Sequence, residues 1–306
     1  MNNNLSHLYV STDSEARIAL WVFDLDGNIL ATNTPYRVIE ISSWKEVRIP
    51  AYQLDNDANL ISWPSAPYRW LENFEDSLVH FQDYSKYSEP NHLIDDTLEA
   101  IKNESFSPSF QAFKETFLIP ARLFAIITAR GHSADNLERA IRLISETVLN
   151  EKEKAIQYEN IKKLYTHLYP ELPIPNRDEA VVLYFREIIS YYTVSNPHIM
   201  KYLNLKKNTN IPNKKVLCLA HYIQDVLNRI LKPVWIQDSW LAIGFSDDSA
   251  KNMSAMLDYF IERRRNGSLE NNTVHLYFTG KQWQLPIPEE SCISIEKMED
   301  MTIIQV

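Results

Sequence analysis

Ile18-Ala19-Leu20-Trp21-Val22-Phe23-Asp24-Leu25-Asp26-Gly27 is the stretch that decides the fold. A continuous apolar run with no polar face, closed by Asp-Leu-Asp-Gly, reads as a strand buried on both sides that ends in a tight turn. Strands of that kind belong to parallel sheets covered by helices. Two later stretches share the pattern. Leu123-Phe124-Ala125-Ile126-Ile127 runs into Thr128-Ala129-Arg130-Gly131, and Leu241-Ala242-Ile243 runs into Gly244-Phe245-Ser246-Asp247-Asp248. Open α/β sheets bind their ligands beyond the carboxyl ends of the strands. The sequence therefore predicts one crevice where Asp24, Asp26, Asp247, Asp248, the Thr128 hydroxyl and several backbone N–H groups meet.

Helices follow two of these loops. After Ser133, an N-cap residue type, Leu137, Ala140, Ile141, Ile144 and Val148 share one helical face. After Ser249, Met253, Met256, Leu257, Phe260 and Ile261 do the same, and Arg263-Arg264-Arg265 before Asn266-Gly267 reads as a basic helix end with a Gly stop. Val274 to Phe278 is a further strand candidate, with Gly280 as its terminator.

Composition narrows the class. The chain has 306 residues, 45% of them hydrophobic and 23% charged, which suits a globular protein with ample core. No apolar run approaches the ~18 residues of a membrane span. The opening MNNNLSHLYVSTDSEAR has no basic start followed by a long apolar segment, so the cytoplasm is the expected compartment. Lys and Arg number 31 against 40 Asp and Glu, a net charge of −9 with no basic stripe, and no nucleic-acid partner is expected. Cys218 and Cys292 are too few for a disulfide scaffold or a thiolate metal site. There are only 5 glycines, and neither GxGxxG nor GxxxxGK[ST] occurs, so a phosphate would be held by other means.

The three strand-end motifs resemble, in order, those of the haloacid dehalogenase-like (HAD) hydrolase superfamily. Phe23-Asp24-Leu25-Asp26-Gly27-Asn28 is similar to its first motif, with Asn28 where Thr or Val is usual. Ala125 to Thr128 is similar to the second, and Gly244 to Asp248, with Asn252 beyond, to the fourth. The resemblance implies a Rossmann-like parallel sheet flanked by helices and a Mg²⁺-dependent phosphomonoester phosphatase. In it, Asp24 would be the nucleophile that becomes an aspartyl-phosphate. Asp26 would protonate the leaving group and then activate water; dehalogenases of the family lack an acid there, because a halide needs no proton. Thr128 would hydrogen-bond a phosphoryl oxygen. Asp24, Asp247, Asp248 and the Asp26 carbonyl would hold Mg²⁺. Arg130 and Asn252 are substrate-binding candidates, although Arg130 could equally serve a helix end, and His132 reads most simply as an exposed loop histidine.

The family's third-motif lysine lies at the start of a helix upstream of the paired acids. Asn213-Lys214-Lys215-Val216 opens such a helix here. Its apolar residues cluster around Ile223; Lys215 falls about 80° from that direction and Lys214 about 180° from it. Lys215 is the expected catalytic cation, and Lys214 is expected in solvent.

Spacing sets the domain plan. Asp24 and Thr128 lie 104 positions apart, far more than one crossover helix needs. The core is thus assigned to residues 14–34 and 118–285, with an insertion over 35–117 in the position of the family's C1 cap. Trp44, Trp63, Trp70, Phe74, Phe81, Tyr84 and Tyr87 are expected to give that cap a small core. Ser107-Pro108 is read as the cap and first position of its last helix. Residues 150–210 are read as a helical insertion within the core, and 286–306 as an acidic tail. Such a tail also raises a translocated bacterial effector as the alternative location. The substrate is expected to be a phosphorylated small molecule or a phosphoprotein, including phosphotyrosine. A catalytically idle fold that binds partners through its insertions is the competing class.

Overall fold

The computed structural model describes residues 18–51, 53, 60–61, 66–72, 74–83, 92–119, 122–169, 171–206, 208–226, 228, 241–267, 273–280 and 301–305. Trp63, Tyr84, Tyr87, Cys292 and the acidic stretch Glu289 to Asp300 lie outside them. The protein is α/β, built on a parallel sheet flanked by helices, an arrangement compatible with a Rossmann-like fold.

The sheet has six strands in the order β6-β5-β1-β7-β8-β9, every neighbouring pair parallel. These are β1 (Ile18–Phe23), β5 (Arg122–Thr128), β6 (Ser190–Thr193), β7 (Leu241–Asp247), β8 (Thr273–Phe278) and β9 (Met301–Gln305). The three motif-bearing runs are β5, β1 and β7, side by side at the centre. Parallel register aligns their carboxyl ends, with Phe23 opposite Ile126 on one side and Ser246 on the other. Gly244 is dictated by packing here, since a Cβ would sit 2.8 Å from the indole of Trp21, its partner on β1.

Between β1 and β5 the chain makes a second, antiparallel sheet, β3-β2-β4, from β2 (Pro35–Glu40), β3 (Lys45–Pro50) and β4 (Tyr68–Trp70). A single turn α1 (Phe74–Ser77) follows, then a 3-10 turn at Val79–Phe81, α2 (His92–Lys102) and α3 (Phe110–Leu118). This stretch is not the uniform inserted unit that spacing suggested. Leu93 and Ala100 of α2, and Phe113 and Phe117 of α3, join the same buried cluster as β1 and β5. Phe113 packs edge-on against Phe23 at 5.5 Å and Phe124 at 5.5 Å. Truncating such a phenyl to Ala typically costs about 3–5 kcal/mol, so α3 is part of the main core. The small sheet has its own contacts, Tyr36 meeting Trp70 at 5.2 Å and Phe81 at 4.8 Å. Trp44 is not among them: it stands 65% exposed at the β2–β3 turn with φ 55°, under the Arg69 guanidinium. α3 also starts later than Ser107-Pro108 proposed, after Ser109.

Beyond β5 come α4 (Ala134–Val148), α5 (Glu151–Leu168), α6 (Arg177–Leu183) with a π turn at Tyr184–Ile188, and α7 (Pro197–Tyr202). Ser133 caps α4 by accepting from Asn136 N, and Leu137, Ala140, Ile141 and Ile144 are buried, as the pattern predicted. The expectation of a wholly helical 150–210 is corrected by β6. Tyr191, Tyr192 and Thr193 are strand formers that pair with β5 at the sheet edge, and an apparent helical face running on to Tyr192 hid them. α8 (Ile211–Asp225) and α9 (Ala250–Arg265) complete the helices, α9 capped by Ser249 and ending before Gly267 in the left-handed region. The tail is corrected too: Met301–Gln305 pairs with β8 as a sixth strand.

Candidate active site

Asp24 is the first residue beyond β1. Its backbone N–H donates to Ser246 O of β7 (3.1 Å), which ties the strand end down while the carboxylate stands at the sheet's carboxyl edge. The residue is 7% exposed. Its Oδ2 lies 2.9 Å from Lys215 Nζ, and its Oδ1 is buried with no hydrogen-bond partner among the described residues. Burial pushes this carboxyl up to about 7; Lys215 pulls it back and Asp247 adds to the rise.

Lys215 is the fifth residue of α8, which starts at Ile211 after the Asn210 cap, and is fully buried, with Nζ 2.7 Å from Asp247 Oδ2 as well. Burial alone would lower its pKa, but Asp24 and Asp247 outweigh it and the net shift is upward. The helix register argument for Lys215 thus matches its position. The companion expectation does not hold: Lys214 is also buried, because Met200 of α7 lies over it, with Nζ 3.8 Å from the thioether sulfur.

Asp247 ends β7 and is held from several sides. Oδ1 accepts from Ser249 N (2.8 Å), and Asn252 Nδ2 reaches both oxygens at 3.0 and 3.1 Å. Asn252, a substrate-binding candidate by sequence, thus has its amide N–H on Asp247. Asp248 follows, its carboxylate against Gly27: a Cβ there would lie 2.1 Å from Asp248 Oδ2, and Gly27 has φ +69°. Only glycine satisfies both demands.

Asp24, Asp247 and Asp248 each offer an oxygen within 4.8 Å of the others, a spacing that could hold a cation. The residues fit a hard divalent ion: the donors are carboxylate oxygens, and Asp24 Oδ1 is buried with nothing to accept from. The Asp26 carboxylate lies outside that group and faces Arg130.

The Asp26–Arg130 pair is bidentate, Nε to Oδ2 at 2.7 Å and Nη2 to Oδ1 at 2.7 Å, and Thr32 Oγ1 donates to Oδ1 at 2.6 Å. Burial opposes the charge, but Arg130 and Thr32 outweigh it and hold Asp26 below the usual carboxylate range. Arg130 itself is buried, also donates to Thr32 and Thr34, and stacks over Phe81 at 4.9 Å. In the fold it braces Asp26, and its Nη1 is buried with no hydrogen-bond partner among the described residues. Thr128 is buried at the end of β5, and its Oγ1 accepts from Arg130 N at 3.4 Å. His132 is buried as well, contrary to the exposed-loop reading, because the segment after the 3-10 turn covers it. Gly131 N donates to Phe81 O (2.8 Å), and Asp83 Oδ1 lies 4.0 Å from His132 Nε2. Burial, helped by Arg130, pushes the imidazole down to about 3 and keeps it neutral, against the pull of Asp83.

Several functional neighbours had no sequence signal. The Asn28 side-chain amide lies 2.8 Å from both Ser246 Oγ and Thr279 Oγ1, and Ser109 Oγ lies 2.5 Å from Ser246 Oγ. Turned so that its carbonyl faces these hydroxyls, the amide presents Nδ2 to Asp24 O at 3.3 Å. Asn28, at a position where the motif it resembles usually carries Thr or Val, is the one clue the sequence held.

The fold and site together define an α/β protein with a buried, lysine-braced cluster of carboxylates at the carboxyl edge of a parallel sheet. Comparison with protein-family models, with curated proteins and with solved structures finds no match to this chain. Among the described residues, no helix is long and apolar enough to cross a membrane.

Proposed function

We propose that the chain is a Mg²⁺-dependent phosphomonoester phosphatase that works through an aspartyl-phosphate on Asp24, in the manner of the HAD superfamily its motifs resemble. The observation that carries this reading is Asp24 itself, with one oxygen on Lys215, the other unpartnered, and two further carboxylates in reach. A dry carboxylate beside a fixed cation is a nucleophile that an anionic phosphoryl group can approach.

In the first half-reaction one carboxylate oxygen of Asp24 forms the bond to phosphorus as the bond to the leaving oxygen breaks, and the other stays with the cations. Lys215 balances the charge gathered on the aspartyl-phosphate, while Thr128 donates to a phosphoryl oxygen. Bound Mg²⁺, held by Asp24, Asp247 and Asp248, would neutralise the phosphoryl oxygens. In the second half-reaction Asp26, kept ionised by Arg130 and Thr32, takes a proton from the water that attacks phosphorus. For the first half-reaction Asp26 takes up a proton from solvent as the Arg130 contact loosens around the entering anionic substrate, and gives it to the leaving alkoxide, which leaves Asp26 ionised for the second. The β3-β2-β4 sheet and the turn carrying Phe81 then act as the C1-type cap over the site.

The test is hydrolysis of p-nitrophenyl phosphate and of phosphopeptides by the purified protein in Mg²⁺ and in EDTA, beside Asp24→Asn. Metal-dependent turnover lost in the variant supports the enzyme and ranks the two substrate classes. No turnover by folded protein in Mg²⁺ favours the idle binding module.

A further inference from the structure

Asp96 is a carboxylate on the buried face of α2, beside Leu93, Thr97 and Ala100 of the same helix, and is itself buried. Burial strips a charge of its hydration, and it pushes the Asp96 carboxyl above its usual range against the pull of Thr34 and Arg130. An Asn or Ser there would accept a hydrogen bond without a charge to desolvate. The contact Asp96 makes explains why an anion stands there. Thr34 Oγ1 donates to its Oδ2. A threonine hydroxyl has one hydrogen, and the other acceptor in reach of Thr34 is Thr32 Oγ1 at 3.3 Å, a neutral oxygen and so the weaker of the two. With its hydrogen committed to Asp96, Thr34 turns a lone pair to Arg130 Nη2, which donates to it at 2.7 Å.

The Arg130 guanidinium is gripped along one edge. Nε and Nη2 carry its side-chain hydrogen bonds, to Asp26, Thr32 and Thr34, and Nη1 has none among the described residues. Asp26 is the group that Arg130 braces, and Thr32 gives its own hydrogen to Asp26 Oδ1. Thr34 is therefore the acceptor on that edge that is fixed from elsewhere, by a helix of the segment inserted between β1 and β5. One line of contacts runs from α2 through Thr34 and Arg130 to the Asp26 carboxylate.

We propose that Asp96 is a positioning residue for the reaction: through Thr34 it holds the Arg130 guanidinium in its seat, and so keeps the Asp26 carboxylate aimed at the oxygen it serves. When the contact with Asp26 loosens around an entering substrate, the Thr34 side of that seat keeps the guanidinium in place. This rests on the phosphatase reading above, with Asp26 as acid and base, and it gives the inserted segment a part in the chemistry besides covering the site.

The test is kcat/KM of the full chain in Mg²⁺ for propyl phosphate and for p-nitrophenyl phosphate, in Asp96→Ala, in Thr34→Val and in the double variant, with folding checked by circular dichroism. An alkoxide needs a well-aimed proton to leave and a nitrophenolate does not. Each single variant should lower kcat/KM by about 10-fold for propyl phosphate and by under about 3-fold for the nitrophenyl ester. The double variant should be no worse than the worse single variant, because both act along one line of contacts. Should Asp96→Ala fail to fold, Thr34→Val carries the same comparison of esters. No loss, an equal loss on the two esters, or losses that multiply in the double variant overturn this proposal and leave the phosphatase reading standing. Failure of the folded parent chain to turn over either ester overturns both.

Discussion

Replacing Lys215 by Met tests the centre of the site without assuming any substrate. The change keeps the length of the stem and removes one charge that sits 2.9 Å from Asp24 Oδ2 and 2.7 Å from Asp247 Oδ2 with no solvent exposure. Deleting one partner of a buried ion pair ordinarily costs about 3–5 kcal/mol, because the remaining charge is stranded. Here two carboxylates are stranded together; at ~4 Å and an effective dielectric of ~20 their repulsion alone is about 4 kcal/mol. Protonating Asp24, which already titrates at about 7 with the lysine present, relieves part of that. The expected loss is therefore about 3–5 kcal/mol at pH 7.5 in EDTA, a large share of the ~5–15 kcal/mol of a typical domain. The sign of its pH dependence follows from linkage. A carboxyl raised in the folded state favours folding below its unfolded pKa, and that contribution is lost as pH rises through the folded value. The penalty should therefore shrink on going from pH 7.5 to 5.5. Urea unfolding followed by circular dichroism at both pH values measures it. A loss under ~1 kcal/mol at pH 7.5, or a larger loss at pH 5.5, would refute the placement of this lysine as the buried counter-charge.

Asp24→Asn should abolish Mg²⁺-dependent turnover while the circular dichroism spectrum is unchanged; comparable turnover in the folded variant removes Asp24 as nucleophile. Asp26→Asn should be nearly as damaging, by about 10²–10⁴ in rate, and more so for alkyl than for nitrophenyl esters. An equal loss on both would deny it the leaving-group proton. EDTA should abolish activity and Mg²⁺ restore it, with Ca²⁺ a poor substitute because its larger, looser coordination misplaces the attack; full activity after exhaustive chelation contradicts the metal. His132 titrates at about 3 in the folded chain against the ordinary 6.5, so stability should fall as pH drops below 6.5 and the unfolded chain takes up the proton. His132→Gln should flatten that slope by up to ~1.4 kcal/mol per pH unit between pH 6.5 and 5, and an identical slope in both proteins removes His132 as its source.

What the sequence made legible follows from physics that acts locally. β1, β5 and β7 are buried on both faces, so each is an uninterrupted apolar run, and each ends in a polar loop where the chain leaves the sheet. Lys215 was legible for a similar reason: helical periodicity fixes which way a residue points relative to its own helix. Periodicity does not say what lies opposite. α3 announces an apolar face with Phe113 and Phe117, yet nothing local tells whether a cap or the main sheet receives it. Lys214 falls on the far side of α8 from its apolar face, yet it is buried, with Met200 of another helix against its Nζ. His132 reads as exposed in Gly131-His132-Ser133 until a segment some fifty residues earlier covers it; Ser133 N donates to Asp83 Oδ2 across a separation of 50 positions. β6 was lost because four strand residues follow a helix directly and continue its pattern.

The amide of Asn28 has a consequence for how the chain acquires this site. It reaches Ser246 across 218 positions and Thr279 across 251, so the carboxylate cluster is closed by contacts more than 200 positions apart in sequence. β1 occupies the middle of the sheet but is made first, and its β7 edge stays unpaired until those residues leave the ribosome. At about 5–20 residues per second of synthesis, that interval is roughly 10–50 s. During it an apolar strand edge has no partner, which makes it a natural client surface for a chaperone. The cluster can form only after β7 and β8 have docked, so its appearance reports completion of the sheet and not any earlier collapse.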